Sequence, residues 1–322
     1  MAILIGTDEA GYGPNLGPLV ISATAWQVPD EVQAEGLFGL LKDVVLPSAR
    51  AAEQDPPRVP IADSKTVYQP GGGLGNLERG VLAALHVLDR LPKSWRQAWQ
   101  ALDPDSAAPR REIPWYADFD APLPSDAPQP EIESLGRRLA SGLAAAGVRL
   151  LDVRSRVVFE PEFNRLVAEH GTKGTVLSRA TLELAARLTA AFGAGPVSIV
   201  CDKHGGRNRY ARLIEESFPG RLVEIYGESR DLSVYRFGPA ERRIEIRFQA
   251  RAESCLPVAL ASMQSKYLRE LAMQALNAYW CGRVDGLHPT AGYPHDARRF
   301  KTSIAQAQAA LGIEDTALWR QR

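Results

Sequence analysis

Short apolar segments rich in β-branched residues, separated by longer segments with helical spacing, constrain what this chain can fold into. The segments Ala2–Thr7, Pro18–Gln27 and Pro196–Cys201 are typical of strands, and helical patterns occupy Gly174–Phe192 and Pro257–Tyr279. Strands that alternate with helices indicate an α/β protein, because each layer must bury its apolar face against another. We therefore expect a central mixed sheet flanked by helices, with a helical C-terminal part at about 257–322.

The remaining elements follow from the same patterns. We predict further helices at Glu31–Val44, Asn76–Leu91, 132–146 and Arg207–Phe218, and further strands near Val148–Val158, Arg221–Tyr226 and Arg242–Gln249. The segment 101–135 has seven prolines in 35 residues, which predicts a surface excursion rather than core. No internal repeat is evident, so we expect a single domain, 1–322, with insertions at 101–135 and 224–247.

Composition excludes several classes of protein. The chain has 322 residues, with 38 Lys plus Arg and 38 Asp plus Glu, so any nucleic-acid contact must come from a local basic patch. Its three cysteines lie far apart without zinc-site spacing, which indicates a reducing compartment and no structural zinc. The first residues lack a basic signal region, and no apolar run reaches the length of a membrane span. A cytoplasmic protein with no membrane partner is expected.

Four carboxylates occupy positions typical of a ligand site. Asp8 and Glu9 follow the first strand, Asp202 follows the strand Pro196–Cys201, and Glu253 precedes the long helical pattern. Ligands usually bind at the carboxyl ends of the strands of an open α/β sheet. Converging carboxylates would repel one another unless a divalent cation neutralised them, and Mg²⁺ prefers such oxygen ligands. The alternative is that each acid caps a helix or lies solvated in a turn, which is the commoner role of an isolated acid at a strand end.

Five motifs in order resemble those of a known family. Asp8–Pro18 reads DEAGYGPNLGP, Ile61–Thr66 reads IADSKT, Val200–Asp202 reads VCD, Glu253–Lys266 reads ESCLPVALASMQSK, and Gly292–Pro294 reads GYP. The chain thus resembles the type 2 ribonucleases H, which comprise the bacterial ribonucleases HII and HIII and the archaeal and eukaryotic ribonuclease H2 catalytic subunit. The resemblance implies a ribonuclease H-like fold and an endonuclease that hydrolyses the RNA strand of an RNA–DNA hybrid.

The resemblance also implies a role for each matching residue. The four acids Asp8, Glu9, Asp202 and Glu253 would hold two Mg²⁺ or Mn²⁺ ions for two-metal-ion catalysis. The glycine-rich turn would approach the ribose 2′-hydroxyl, which distinguishes RNA from DNA. Lysines would hold backbone phosphate, and a tyrosine would stack on the deoxyribose beside the cleaved bond. The substrate-binding residues implied in this way are Gly11, Tyr12, Gly13, Ser64, Lys65, Lys266 and Tyr293.

Two departures from the family pattern bear on substrate choice. Tyr12 stands where ribonucleases HII and H2 carry the arginine of a G-R-G motif, and Glu253 stands where they usually carry Asp. Ribonucleases HIII resemble this chain in both respects. The expectation is therefore a preference for runs of ribonucleotides. The alternative is a family member with altered or lost catalysis that acts as a nucleic-acid-binding protein, although a binder has no need to keep mutually repelling carboxylates together.

Two further patterns are considered for binding. The GTKG sequence at 171–174 is superficially similar to a phosphate-binding loop. It lacks the GxxxxGK[ST] spacing after a strand, so it does not predict a nucleoside triphosphatase. Cations follow Asp202 closely and form a candidate basic patch, with a solvated helix face as the equally plausible alternative. These cations are Lys203, Arg207, Arg209 and Arg212.

Overall fold

The computed structural model describes residues 1–321 and contains the expected mixture of strands and helices. The strands are β1 Ala2–Ala10, β2 Leu19–Val28, β3 Val45–Leu46, β4 Val59–Pro60, β5 Arg149–Val158, β6 Val197–Asp202, β7 Glu224–Glu228, β8 Leu232–Phe237 and β9 Ile244–Gln249. The helices are α1 Leu37–Leu40, α2 Ser64–Val67, α3 Gly75–Val87, α4 Trp95–Leu102, α5 Ala107–Arg111, α6 Pro114–Ala117, α7 Gln129–Ala145, α8 Glu160–His170, α9 Lys173–Phe192, α10 Ala211–Ser217, α11 Leu256–Cys281, α12 Pro294–Ala310 and α13 Asp315–Leu318. Short 3₁₀ helices occupy Ala34–Gly36, Ala51–Glu53, Pro104–Ser106, Ala240–Arg242 and Ala252–Ser254.

A seven-stranded mixed sheet organises the molecule, with strand order β5-β2-β1-β6-β9-β8-β7. β1 runs parallel to β6, and β6 runs parallel to β9, whereas β2 and β5 continue the sheet by antiparallel pairing. In the parallel register Thr7 faces Cys201, and Asp202 faces Gln249. The carboxyl ends of three neighbouring strands therefore lie at one edge of the sheet.

Helices cover both faces of this sheet. Because side chains alternate along a strand, Leu4 of β1 faces one apolar core with α3, α7 and α11, whereas Ile3 and Ile5 face a second core with α9. Full burial of each such aliphatic side chain is worth about 1.5–3 kcal/mol, so the two cores hold the sheet between two helical layers. The predicted α/β class, with a central mixed sheet flanked by helices, is confirmed.

The 26-residue helix α11 belongs to the core of the molecule. α11 packs against β1 and β2, and most of its side chains are buried. Thr24 of β2 donates from its hydroxyl to the carbonyl of Pro257 at 2.8 Å, which fixes the start of the helix on the sheet. α11 is therefore a core helix, because the apolar residues on most of its surface must be buried.

The expectation that 101–135 lies outside the core is also wrong. Trp115 and Tyr116 are 1% exposed, and Tyr116 packs at 5.5 Å from the Phe159 ring and 6.1 Å from the Trp99 ring. Within this segment, the backbone N–H groups of residues 125–127 donate hydrogen bonds to the buried carboxylate of Glu78 in α3. Prolines here divide short helices instead of marking a mobile loop, and the aromatic residues between them supply the buried surface. Its status as an insertion relative to the family stays a prediction.

Two other local predictions fail for similar reasons. Between the predicted strands Arg221–Tyr226 and Arg242–Gln249, where no element is predicted, the structure contains β8, which pairs with both β7 and β9. The helix predicted at Glu31–Val44 is reduced to one 3₁₀ turn and the four-residue α1. Tertiary pairing decides both cases, because local propensity is a weak determinant of short elements. No helix within residues 1–321 is both long and apolar enough to cross a membrane.

Asp103 offers a test of how firmly 101–135 is attached to the sheet. Its buried carboxylate accepts a hydrogen bond from the N–H of Val157 in β5 at 2.8 Å. Burial raises the pKa of Asp103 to about 6, in opposition to the hydrogen bond from Val157 and the charge of Arg156. The folded protein therefore holds this proton more tightly than the unfolded chain, and the stability that the proton provides is lost as pH rises through about 4 to 6.

We expect Asp103→Asn to flatten this pH dependence, because asparagine keeps the acceptor oxygen and does not ionise. Relative to the wild type, the free energy of unfolding of the variant should increase by on the order of 2 kcal/mol between about pH 4 and pH 7. Urea denaturation of both proteins at several pH values measures this difference in the free energy of unfolding. Parallel pH profiles for the two proteins would show that Asp103 ionises normally and that its packing against β5 is loose.

Candidate active site

The four predicted acids lie at one edge of the sheet. Asp8 and Glu9 are among the last three residues of β1, and Asp202 is the final residue of the neighbouring strand β6. Glu253 lies in the 3₁₀ turn Ala252–Ser254 between β9 and α11. The parallel register thus brings together residues that are far apart in the sequence, as the strand-end pattern predicts.

Backbone and hydroxyl groups hold two of these acids in place. Ser265 of α11 donates from its hydroxyl to the carbonyl of Asp8 at 3.0 Å, and the N–H of Glu9 points to the Asp8 carboxylate at 2.7 Å. The N–H of Ala252 donates to Asp202 at 3.4 Å, which ties the turn bearing Glu253 to the end of β6. α11 is therefore both a core element and the support of the site.

Burial and mutual repulsion make these carboxylates hard to ionise together. Burial and the neighbouring charge of Glu9 raise the pKa of Asp8 well above its usual range, although a hydrogen bond from Ser262 opposes them. Burial and the charge of Asp202 raise the pKa of Glu9 to about 8. Burial and the charge of Glu253 raise the pKa of Asp202 to about 6. The charge of Glu253 contributes to all three of these shifts, which requires that the four acids lie near one another.

This donor set fits a divalent cation. Four carboxylates provide hard oxygen ligands of the kind that Mg²⁺ and Mn²⁺ accept, and a cation would offset the repulsion among them. Within residues 1–321, no three His, Cys, Asp or Glu side chains form a group already arranged around a metal position. The fit therefore depends on the chemistry of the carboxylates and on their electrostatic coupling.

Ser64 and Lys65 lie on α2 beside the acids. Asp63 caps this helix by accepting from the N–H of Lys65 at 3.0 Å, and the hydroxyl of Ser64 lies 3.1 Å from that of Ser262 on α11. The ammonium of Lys65 lies 3.9 Å from the Glu253 carboxylate, yet its side chain is 83% exposed. Partial burial disfavours its charge, but Asp63 and Glu253 outweigh burial and raise the pKa of Lys65. Lys65 can reach a phosphate at the acidic edge from this position.

The glycine-rich segment forms a turn with one packed side and one open side. Gly11 has φ +88°, and a Cβ there would lie 2.5 Å from the carbonyl of Pro18. Gly13 is exposed, with nothing within 4 Å of the position a Cβ would take. Tyr12 between them is half-buried, and the Lys173 ammonium lies 4.4 Å from the centre of its ring. The open backbone at Gly13 leaves room for a ligand.

The GYP loop is attached directly to this turn. The carbonyl of Gly292 accepts from the N–H groups of Asn15 and Leu16 at 2.8 and 3.3 Å. Gly292 has φ +82°, and a Cβ there would overlap the carbonyl of Leu16. The ring of the next residue, Tyr293, is 55% exposed. Two motifs that are separated by about 280 residues in the sequence therefore form one surface.

Lys266 differs from the other implied substrate ligands. Its ammonium contacts the Glu270 carboxylate at 2.6 Å and lies 4.4 Å from the centre of the Tyr68 ring. Its side chain is 20% exposed. Contact between Lys266 and a phosphate stays a prediction, and such a contact would compete with the existing ion pair.

Sequence reasoning missed three buried charged residues beneath the glycine-rich turn. Arg320 is 1% exposed and donates to the carbonyls of Gly11 and Pro14, and Arg269 of α11 donates to the carbonyl of Leu16 at 3.2 Å. Glu160 accepts from the N–H of Gly17 at 3.0 Å, and burial raises its pKa to about 7. An arginine inside an apolar helix is a usable signal for Arg269. Arg320 gives no local signal, because its partners lie more than 300 residues away.

We expect Arg320→Gln to loosen the glycine-rich turn. The carbonyls of Gly11 and Pro14 would lose a charged donor, and each buried carbonyl left without a donor costs about 1–3 kcal/mol. Urea denaturation should show this loss, and any catalytic rate should fall by more than the unfolded fraction accounts for. The matched control is Arg298→Gln at an exposed position on α12. Equal stability of the two variants would contradict the role of Arg320.

Comparison with known proteins gives matches among solved structures alone. No family model and no curated protein matches the chain. Ribonuclease HII of Archaeoglobus fulgidus, solved as a complex with PCNA, is 15% identical, with 99% of this chain and 94% of that chain covered and a TM-score of 0.40. The Bst ribonuclease HIII in complex with Mn²⁺ is 17% identical, with 99% and 66% covered and a TM-score of 0.44. Ribonuclease H2 of Pyrococcus horikoshii OT3 is 15% identical, with 98% and 92% covered and a TM-score of 0.41.

These structures are of ribonucleases HII, HIII and H2, the proteins whose motifs the chain resembles. The chain spans about two thirds of the length of the Bst ribonuclease HIII. At these identities and TM-scores the assignment of an activity depends on the motifs and on the geometry of the site.

Proposed function

We propose that this protein is a divalent-metal-dependent ribonuclease H of the type 2 family, which hydrolyses the RNA strand of RNA–DNA hybrids. The observation that carries the proposal is the convergence of Asp8, Glu9, Asp202 and Glu253 at one edge of the sheet, where the charge of Glu253 contributes to the raised pKa values of the other three acids. A structural protein gains nothing from such repulsion, whereas a metal-dependent nuclease needs converging carboxylates as ligands for its ions.

The four carboxylates would hold the metal ions. Bound there, two divalent ions supply activation of a water molecule and stabilisation of the departing 3′ oxygen. Water adds to phosphorus, the bond to the 3′ oxygen breaks, and the products are a 3′-hydroxyl and a 5′-phosphate. Glu253 and Asp202 are held by the turn that follows β9, so their spacing depends on the junction of β9 with α11.

The turn and the GYP loop would recognise the hybrid. The open backbone at Gly13 can approach the 2′-hydroxyl of a ribose, and the exposed ring of Tyr293 can stack beside the cleaved bond. Lys65 carries its charge into solvent next to the acids, where it can offset a backbone phosphate. The hydrogen bonds from Asn15 and Leu16 to Gly292 fix the distance between the glycine-rich turn and the GYP loop.

Replacement of any carboxylate should abolish turnover while the fold is retained. Asp8→Asn and Asp202→Asn remove a charged metal ligand at little change in volume. We expect cleavage of a labelled hybrid in Mn²⁺ or Mg²⁺ to fall at least about a hundredfold, and chelation by EDTA to stop cleavage by the wild type. The free energy of unfolding without metal should stay equal or rise, because each substitution relieves repulsion between buried carboxylates.

Glu314→Gln, at an exposed position next to α13, is the matched control and should keep full activity. Undiminished cleavage by a folded Asp8→Asn or Asp202→Asn protein would contradict the assignment of the site. Tight hybrid binding by the wild type without any cleavage in either metal would favour the nucleic-acid-binding alternative.

Tyr12 leads to a proposed preference for runs of ribonucleotides. A guanidinium offers a planar fork of donors to phosphate or sugar, whereas tyrosine offers one hydroxyl and a ring. Recognition would then depend on several consecutive 2′-hydroxyls. We expect kcat/KM for a duplex with a single ribonucleotide to be about ten- to hundredfold lower than for one with about four in a row, which corresponds to one lost charge-assisted contact. Equal efficiency on the two duplexes would show that another group replaces the arginine.

A further inference from the structure

Tyr68 attaches the end of the short helix α2 to the core helix α11. It directly follows α2, and its hydroxyl donates a hydrogen bond to the Glu270 carboxylate of α11 at 2.9 Å. Burial and the charge of Glu270 raise the pKa of Tyr68, so the hydroxyl keeps its proton and remains the donor. Neither residue belongs to the site that the sequence motifs predict.

Lys266 completes this attachment from one turn earlier in α11. Its ammonium contacts Oε1 of Glu270 at 2.6 Å, whereas the Tyr68 hydroxyl contacts Oε2. The same ammonium lies 4.4 Å from the centre of the Tyr68 ring, a distance at which a cation is attracted to the face of a ring. Tyr68, Glu270 and Lys266 thus contact one another in pairs, and we call them the Tyr68 cluster.

A second contact attaches the other end of α2 to the same helix. The N–H of Ser64 donates to the hydroxyl of Ser262 at 3.4 Å, and the two hydroxyls lie 3.1 Å apart. Ser262 and Glu270 are separated by a rise of about 12 Å along α11, so the two contacts hold α2 at both ends. A helix of four residues is not stable by itself in water, and its position therefore depends on such contacts.

The position of α2 matters to the candidate active site because α2 carries Lys65. The Lys65 ammonium lies 3.9 Å from the Glu253 carboxylate, and its side chain is 83% exposed. An exposed lysine keeps much of its rotamer freedom, so the fold can direct its charge only by fixing the backbone from which the side chain extends. Ser262 also donates to Asp8, so the helix that holds α2 is the one that supports the acids.

We infer that Tyr68 is a positioning residue, which holds α2 on α11 through Glu270 so that Lys65 meets a backbone phosphate at the acidic edge. This inference rests on the proposed function, which brings a nucleic acid to that edge. Lys266 contributes by stabilising the Glu270 charge that the Tyr68 hydroxyl binds. Because phosphates occur at every nucleotide, Tyr68 strengthens binding to all duplexes and has no part in counting 2′-hydroxyls.

Hydrogen exchange in the free protein tests the attachment of α2. Tyr68→Phe removes the hydroxyl and keeps the ring under Lys266. We expect the amides of residues 63–70 to exchange roughly tenfold faster in this variant, because a hydrogen bond to a charged acceptor no longer opposes local opening. The matched control is Tyr226→Phe, whose hydroxyl contacts Glu224 at 3.2 Å on the edge strand β7, and it should leave exchange at 63–70 unchanged. Wild-type exchange in Tyr68→Phe would overturn the inference.

A double-mutant cycle tests whether Tyr68 acts through Lys65. Fluorescence anisotropy with a labelled DNA duplex of about 20 base pairs in Mn²⁺ gives Kd without any need for RNA cleavage. We expect Lys65→Gln to raise Kd roughly three- to tenfold at low salt and Tyr68→Phe to raise it about two- to fivefold. In the Lys65→Gln background, Tyr68→Phe should change Kd by less than about 1.5-fold, because no charge is left to position. An equal factor in both backgrounds would indicate a merely structural role and would overturn the inference.

Kinetics on an RNA–DNA hybrid separate the positioning role from the chemistry. Tyr68→Phe should raise KM about two- to fivefold and leave kcat within about twofold. A fall in kcat at unchanged KM would overturn the inference, because the hydroxyl would then act on the acids or their ions.

The two proposals can fail separately. Absence of cleavage by the wild type, together with coupling between Tyr68 and Lys65 in duplex binding, would reject the nuclease and keep the positioning role. Cleavage by the wild type with independent effects of the two substitutions on Kd would keep the nuclease and reject the positioning role.

Discussion

The parallel register of β1, β6 and β9 is the constraint on which the site depends. It aligns Thr7 with Cys201 and Asp202 with Gln249, so that acids from three segments emerge at one edge of the sheet. A shift of one residue would turn every side chain of a strand to the opposite face and would exchange the two apolar cores. The positions of the four candidate metal-binding carboxylates are therefore fixed by the same alternation that forms the cores.

α11 packs on the strands β1 and β2 and also contacts the candidate active site. One face of the helix buries apolar residues against β1 and β2, while Ser262 and Ser265 contact Asp8 and Arg269 contacts the glycine-rich turn. The repulsion among the acids is a local cost, and the packing of a helix with 26 residues offsets it. Proteins commonly concentrate such unfavourable charge at functional sites.

The proposed substrate-binding surface, formed by the glycine-rich turn and the GYP loop, is assembled from distant parts of the chain. Gly292 accepts hydrogen bonds from Asn15 and Leu16, and Arg320 donates to Gly11 and Pro14. These contacts close a long loop in the chain, so the segment from α12 onwards supports the first turn. The Tyr12 ring in this turn also contacts Lys173 at the start of α9.

The sequence by itself determined the α/β class, the strands that end in acids and the ordered motifs that indicate a ribonuclease H. Those features are local, because strand periodicity and a glycine-rich turn are visible within about ten residues. Only the tertiary structure decided that α11 is a core helix, that Trp115 and Tyr116 bury the proline-rich segment, and that β8 forms. It also decided that Lys266 is paired with Glu270 and that Arg320 and Lys173 meet the first turn. These outcomes depend on which surfaces meet after the chain has folded, and contacts across hundreds of residues leave no periodic trace in the sequence.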